Sequence, residues 1–319
     1  MNEFELIDRL IQSFGSLTSG QGVVVGPGDD AAVLDLPVGE QLVVSTDTLV
    51  PDVHFPAESA ADLIGFRAIA VSVSDLTAMG AKPLAMTIAV TMPTLDPPWM
   101  ERLAHGFAVA ATEFDIQIAG GNLARGPLNI TVTVHGTIAT GQALLRSGMQ
   151  LGDDIWVTGT LGATTVFLAN PCCTDSDVEE LLPHRDRCAQ ARYFLPHPRV
   201  LFGTSIRELA HAAIDISDGL DSELHHLSRA SGYGAEIDLG RLPVWAGLQP
   251  SHVAGPDDSY ELLFTASSSA RQAILKCASD TQTPVVVLGN VVAEPTIEYQ
   301  LDGKRIHVAS GYDHFSSAT

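Results

Sequence analysis

The common phosphate-binding signatures are missing from this 319-residue chain. It has no G-x-x-x-x-G-K-[ST], no glycine-rich loop followed by V-A-I-K and no G-x-G-x-x-G, so the P-loop, protein-kinase and Rossmann dinucleotide architectures are excluded. Basic residues are also scarce: 17 Lys and Arg stand against 38 Asp and Glu, for a net charge of −21. No basic run offsets that field, which repels nucleic acid and anionic membranes and leaves cations as the natural partners. Acidity of this kind also serves solubility alone. Cysteine is limited to Cys172, Cys173, Cys188 and Cys277. None is in C-x-x-C spacing, so neither a zinc site nor a disulfide framework is expected, and all four read as reduced thiols.

No apolar run is long enough to cross a bilayer, and the acidic, amphipathic MNEFELIDRLIQSF has neither the basic nor the apolar region of a signal peptide. A cytoplasmic location is expected. What the chain does have is 45% hydrophobic and 17% charged residues, the composition of a globular protein. Its length suits two lobes or two ordinary domains.

The periodicity predicts mixed α/β lobes. Gln41 to Thr46 reads as a short buried strand, and Leu63, Phe66, Ile69, Ala70, Val73 and Leu76 recur at helical spacing, with Gly80 and Pro83 as the stop. A strand follows over Leu84 to Val90. Asp96-Pro97 then opens a second helix carrying Met100, Leu103 and Phe107. Ile116 to Ala119 is expected to run as a strand into a Gly-Gly-Asn turn, and Leu128 to Val134 alternates again. The glycine-rich stretch from Thr140 to Asp154 marks a boundary, placing one lobe at 1–148 and the other at 149–319. Beyond it, strands are expected at 155–159, 214–216, 260–265 and 285–291. Helices are expected after Leu220, closed by Gly232, and near 270–277. Residues 170–184 read as an exposed insertion or helix–helix connection.

Acidic residues beside Gly, Ser or Thr recur at strand and helix ends: GPGDD (26–30), STDT (45–48), VSDL (73–76) and DISDGL (215–220). Mg²⁺ takes oxygen ligands in octahedral geometry, keeps several waters and is held by one or two carboxylates plus substrate phosphates, so short Asp-bearing turns suit it. Each motif also has an ordinary structural reading. GPGDD makes a tight turn, STDT a strand exit, and Ser217-Asp218 a helix cap. Asp75 lies in an almost uncharged helical stretch, where a carboxylate either faces solvent or meets something that compensates its charge. Arg146, in a glycine-rich connection, is either a phosphate clamp or a solvated cation.

As a set, these motifs resemble the thiamine-monophosphate kinase family of the aminoimidazole-ribotide synthetase-like superfamily. The similarity runs through GPGDDAAVL, STDTLVPDVHF, SDLTAMGAKP, GGNLARGP, LLRSG, GDDIWVTGTLG, PHPRV, DISDGL, YELLF and GYDHF, nearly the whole chain. It implies a two-lobe α/β (α+β) fold, with an N-terminal sheet lobe that pairs in a homodimer and a C-terminal lobe of sheet plus helices. It further implies ATP as co-substrate, several Mg²⁺ ions and thiamine monophosphate as acceptor. By position, Asp30, Ser45, Thr46, Asp47, Asp75 and Asn122 match metal positions of the first lobe, and Asp215 and Asp218 those of the second. Gly121, Asn122, Arg146 and Ser217 match nucleotide positions. His54, Asp258 and Tyr312 match substrate contacts.

The carboxylates answer a charge problem, since ATP and a phosphate monoester repel one another unless cations intervene. The acceptor's second ionisation has a pKa of about 6, so no general base is obligatory and none is assigned. Two positions depart from the family. Asn122 stands where Gly-Gly-Asp is usual, which removes one charge. Pro256-Asp257-Asp258-Ser259 replaces Gly-Gly-Glu-Asp, which leaves Asp258 with a shorter reach. A catalytically weakened paralogue that binds nucleotide or thiamine phosphate, or an enzyme acting on another small substrate, are the alternative readings.

Overall fold

A computed structural model describes residues 3–20, 22–171 and 176–312. In chain order its elements are α1 (Glu3–Phe14), β1 (Val23–Val25), β2 (Val33–Leu34), β3 (Glu40–Leu49), α2 (Ala61–Ala78), β4 (Lys82–Met92), α3 (Pro97–Glu113), β5 (Gln117–Arg125) and β6 (Asn129–Ala139). They continue as β7 (Asp154–Thr158), α4 (Ala163–Ala169), α5 (Val178–Leu181), α6 (Ala189–Phe194), α7 (Val200–Ser205), β8 (Ala210–Asp215), α8 (Leu220–Ser231) and β9 (Gly234–Asp238). The last are α9 (Pro250–Val253), β10 (Leu262–Ala266), α10 (Arg271–Asp280), β11 (Val285–Val292), β12 (Ile297–Leu301) and β13 (Lys304–Ile306). The chain divides into two compact units, and not at a single cut. One comprises residues 1–76, 81–141 and 172–196, the other 77–80, 142–171 and 197–319.

The first unit is built on a four-stranded sheet of order β3-β6-β4-β5. β6 runs antiparallel to both β3 and β4, while β4 and β5 are parallel and joined through α3. That connection is the one parallel strands need. α3 begins where Asp96 accepts the Trp99 N–H at 3.2 Å, with proline in its first turn. Alternation sends Ile88, Val90, Val132 and Val134 into the core, where α2 contributes Phe66, Ile69 and Val73. α2 is apolar on nearly every face and buried accordingly. The two long helices meet at glycines: a Cβ on Gly106 would lie 1.9 Å from the Asp62 carbonyl oxygen. No larger residue fits that crossing.

The second unit carries a seven-stranded sheet of order β13-β12-β9-β11-β7-β10-β8, mostly antiparallel, with β9 and β12 parallel. All five residues of β7 are buried, as a central strand covered on both faces requires. One face packs Ile155, Val157 and Leu263 with Leu224 and Leu227 of α8. The other packs Trp156 and Phe264, stacked at 6.0 Å, with Phe202 of α7 and Ile274 of α10. Gly232 ends α8 at φ 77°, the left-handed conformation that glycine adopts without strain.

The mixed α/β architecture with two sheet-bearing lobes agrees with the periodicity, and three local readings change. Gly120, Gly121 and Asn122 continue β5 and form no turn. A Cβ on Gly121 would lie 2.2 Å from the Ile88 carbonyl oxygen, so this glycine marks close strand approach. The expected strand at 260–265 starts only at Leu262, because Tyr260 has φ 53°. The 170–184 stretch is not wholly exposed. Val178 and Leu181 are buried, and the Val178 N–H donates to Asp62 at 3.0 Å. Cys172 and Cys173 lie outside the described residues, while Cys188 and Cys277 are free thiols. Among the described residues no helix is long and apolar enough to cross a membrane.

Candidate functional site

Side-chain alternation along β3 sorts the STDT residues onto two faces. Ser45 and Asp47 are half-buried and turn toward α2, whereas Thr46 and Thr48 are exposed on the opposite face. Across the sheet, Asp47 is in register with Val132, Ile88 and Gly121, and the next row is Thr48, Thr131, Ala89 and Asn122.

On the α2 side, the Ser45 hydroxyl donates to the Asp75 carboxylate. Asp75 is therefore not a solvent-facing helix residue. Burial, together with repulsion from Asp75, raises the Asp47 carboxyl from its ordinary value to about 6, against the lowering effect of a hydrogen bond from Ser72. A raised carboxyl of this origin is a site short of positive charge. Two carboxylates flanked by serine hydroxyls form a hard oxygen donor set of the kind Mg²⁺ takes together with water and phosphate. Among the described residues no three His, Cys, Asp or Glu side chains converge as a ready-made metal cage. A cation here needs substrate oxygens to complete its shell.

Asn122 and Asp30 belong to a different place. Asp47 is on β3 and Asn122 on β5, three strands away, which is roughly 14 Å at ordinary strand spacing. The rows they occupy face opposite sides. Asn122 and Asp30, with Thr131 and Thr133, line the polar part of a cavity of about 580 Å³. The Thr46 and Thr133 hydroxyls are 3.0 Å apart on the same face. Asp30 belongs to a tight turn in which its N–H donates to Asp29 at 2.9 Å.

His54 sits in the loop after β3, and this loop is firmly held. The Val50 N–H donates to His54 Nδ1 at 3.1 Å. The His54 carbonyl accepts from Arg67 Nε at 3.0 Å and from the Tyr193 hydroxyl at 2.9 Å. The fully buried Arg67 guanidinium lies 4.0 Å from the Tyr193 ring centroid. Neither Arg67 nor Tyr193 stood out in the sequence. The only available signal was a lone Arg inside an apolar helix.

In the second unit the DISDG turn leaves β8 and enters α8. Asp215 is buried, and Ser217 and Asp218 are half-buried. Gly219 is the N-cap of α8, so neither Ser217 nor Asp218 occupies the cap position. The turn is fastened on both sides. The Ile216 N–H donates to the Glu261 carbonyl at 2.8 Å and the Tyr260 N–H to the Ile216 carbonyl at 2.8 Å. The Asp218 N–H donates to Glu223 Oε1 at 3.1 Å, and the Asp218 carbonyl accepts the Tyr312 N–H at 2.9 Å. Burial pushes the Glu223 carboxyl up to about 7; the Asp218 N–H, the nearby Arg146 charge and the Ser217 N–H oppose that rise, while the Asp218 charge adds to it. Arg146 is exposed, and its carbonyl accepts the Ser231 hydroxyl at 3.2 Å.

Asp258 is half-buried beside Asp257, whose Oδ2 accepts the Gly162 N–H at 3.3 Å. Tyr312 is 47% exposed. Residues 313–315 of GYDHF lie outside the described residues. Behind the turn, Arg199 donates through Nε and Nη2 to the two carboxylate oxygens of Glu261, at 2.9 and 2.7 Å, and the Thr158 hydroxyl donates to the same carboxylate at 2.5 Å. PHPRV and YELLF thus supply a buried support for DISDG.

The structure brings Ser45, Asp47 and Asp75 together, and separately Asp30, Asn122 and the Thr46 face. In the second unit it gathers Asp215, Ser217 and Asp218 with Arg146 and Tyr312 near the same turn. Two domain families match the chain: AIR synthase related protein, N-terminal domain, over residues 28–138, and AIR synthase related protein, C-terminal domain, over residues 150–302. The chain is 38% identical to the thiamine-monophosphate kinase of Salmonella typhimurium, covering 99% of this chain and 98% of that protein. It resembles the crystal structure of thiamine-monophosphate kinase from Stenotrophomonas maltophilia with a TM-score of 0.83 at 36% identity, over 96% and 98% of the two chains. It also resembles AaThiL complexed with AMPPCP and TMP, with a TM-score of 0.73 at 26% identity, over 98% and 97% of the two chains.

Proposed function

The chain belongs to the thiamine-monophosphate kinase family, built on the AIR synthase related domains, and on that premise we propose that it transfers the γ-phosphoryl group of ATP to thiamine monophosphate, giving ADP and thiamine diphosphate. The reading rests above all on the 38% identity to a thiamine-monophosphate kinase over 99% of the chain, with Ser45 hydrogen-bonded to Asp75 beside Asp47 as a hard oxygen donor set. A relative crystallised with a nucleotide analogue and TMP supports the choice of both substrates.

Asp47 and Asp75 would hold Mg²⁺ in the first unit, and Asp215 and Asp218 would do the same in the second; the ion would supply charge neutralisation for the phosphates. The protein's own groups do the rest. Ser45 fixes one Asp75 oxygen, so the carboxylate keeps its orientation. Arg146 is an exposed cation suited to clamp a phosphate. The acceptor phosphate is mostly a dianion at neutral pH, with a second pKa of about 6, so its oxygen attacks in line without a protein base and without a covalent enzyme intermediate. Tyr312 offers its exposed ring to the thiamine cation.

A homodimer is part of the proposal. The side of β3 turned away from α2 leaves Leu42 and Val44 45% and 51% exposed beside Thr46 and Thr48, a surface that a second copy of the sheet would cover. The function is tested with purified protein, ATP, Mg²⁺ and thiamine monophosphate. Stoichiometric ADP and thiamine diphosphate are expected, and no product over a range of Mg²⁺ concentrations refutes the proposal.

A further inference from the structure

The loop that follows β3 is closed on itself and then clamped from two helices. Asp52 stands at φ 60°, its N–H donates to the Phe55 carbonyl at 2.8 Å, and its Oδ1 accepts the Ala57 N–H at 3.1 Å. The buried Phe55 anchors the turn. The His54 N–H donates to the Val50 carbonyl at 3.1 Å, and the Val50 N–H donates to His54 Nδ1, so the neutral imidazole carries its proton on Nε2. Two donors then converge on the His54 carbonyl: Arg67 Nε from α2 and the Tyr193 hydroxyl from α6. Arg67 Nη1 also donates to the Tyr193 carbonyl, so one buried guanidinium joins the loop to α6.

Tyr193 comes from residues 172–196, a stretch that follows α4 in the chain yet belongs to the first unit. The stretch is tied there by other contacts as well: the Val178 N–H donates to Asp62, and Arg185 Nη1 donates to Glu113 at 2.6 Å. The Tyr193 ring is buried and meets Phe194 edge-on at 4.9 Å. Packing accounts for that ring and would accept phenylalanine. It does not account for the hydroxyl, which is directed at the carbonyl of a half-buried histidine in a loop. We propose that Tyr193 is a positioning residue for the acceptor substrate. Acting through the His54 carbonyl, with Arg67 as the link, it stops that peptide from turning and holds the His54 imidazole in the place and tautomer that meet thiamine monophosphate. The inference rests on the kinase reading, in which His54 matches a substrate contact, and adds a residue from the far half of the chain that no motif marks.

Equilibrium titrations with thiamine monophosphate and Mg²⁺ test this without requiring turnover. Tyr193→Phe deletes the hydroxyl and keeps the ring. Its Kd for thiamine monophosphate should rise about fivefold or more, the effect of one lost hydrogen bond, while its Kd for AMPPCP stays within about twofold of wild type. In a His54→Ala background the same substitution should add nothing, because the imidazole through which Tyr193 acts is gone. Should His54→Ala abolish binding outright, the two Kd values of Tyr193→Phe decide. Arg185→Met, which loosens the same stretch at another contact, should lower the thermal midpoint and leave both Kd values unchanged. An unchanged Kd for thiamine monophosphate in Tyr193→Phe, an equal loss for AMPPCP, a loss that persists in full without His54, or the same rise in Arg185→Met overturns the inference. So does a Tyr193→Phe protein that no longer unfolds cooperatively, since the hydroxyl is then a folding bond. A wild-type protein that shows the expected shifts but forms no thiamine diphosphate refutes the kinase reading and leaves the positioning role standing. A wild-type protein that does not bind thiamine monophosphate overturns both.

Discussion

Ser45 on β3 and Asp75 on α2, thirty positions apart in the chain, are joined by a hydrogen bond from hydroxyl to carboxylate. The bond fixes a carboxylate beside Asp47, and the Asp75 charge, after burial, opposes the ionisation of Asp47. Ser45→Ala removes the donor. A hydrogen bond to a charged group contributes about 1.5–3 kcal/mol. The variant should lose catalytic efficiency by roughly 10- to 100-fold and require more Mg²⁺ for half-saturation, which initial-rate Mg²⁺ titrations would measure.

Asp47 gives a pH-dependent prediction. Its carboxyl has a folded-state pKa of about 6 against an ordinary value of 3.8. Between those values the folded state binds more protons than the unfolded state, so stability falls as pH rises through the window, and the full deficit is present above it. Asp47→Asn, which keeps Ser72 as a hydrogen-bonding neighbour, removes this penalty. Without Mg²⁺ at pH 7.5 the variant should be more stable than wild type by about 1–3 kcal/mol, and the gap should close near pH 4. Urea denaturation at a series of pH values checks this, and the same variant should be inactive.

The buried pair Arg199–Glu261 supports the DISDG turn through the Glu261 carbonyl. Removing one partner leaves an uncompensated buried charge, which costs about 3–5 kcal/mol. Arg199→Met and Glu261→Met should each destabilise by that order, and the double variant should recover part of the loss. Chemical denaturation of all four proteins in the cycle measures the coupling.

Asn122→Asp places a carboxylate at the rim of the cavity near Asp30. In an active kinase it should lower the Mg²⁺ concentration for half-saturation while changing kcat by no more than roughly threefold, since the added group contributes charge to an existing oxygen set. A large gain in kcat would instead identify a latent enzyme weakened by the neutral amide.

Much of the fold was legible because its signals are local. The apolar spacing of Leu63 to Leu76 and the Asp96-Pro97 start locate α2 and α3, and Gly232 marks the end of α8. Gly121 was harder to interpret. Its reason is contact with the Ile88 carbonyl on a neighbouring strand, and a Gly-Gly pair reads locally as a turn. The acidic motifs were visible one by one. Their grouping was not, because strand alternation separates Thr46 from Asp47 and register puts Asn122 in the row of Thr48. The holding residues Arg67, Tyr193 and Glu223 act through backbone contacts that no motif encodes.

The most direct test of phosphoryl transfer follows ADP and thiamine diphosphate together in one reaction of wild-type protein with ATP, Mg²⁺ and thiamine monophosphate. The two products should appear in equal amounts, and omission of Mg²⁺ should abolish both. ADP release without thiamine diphosphate, or no turnover at any Mg²⁺ concentration, would contradict the assignment.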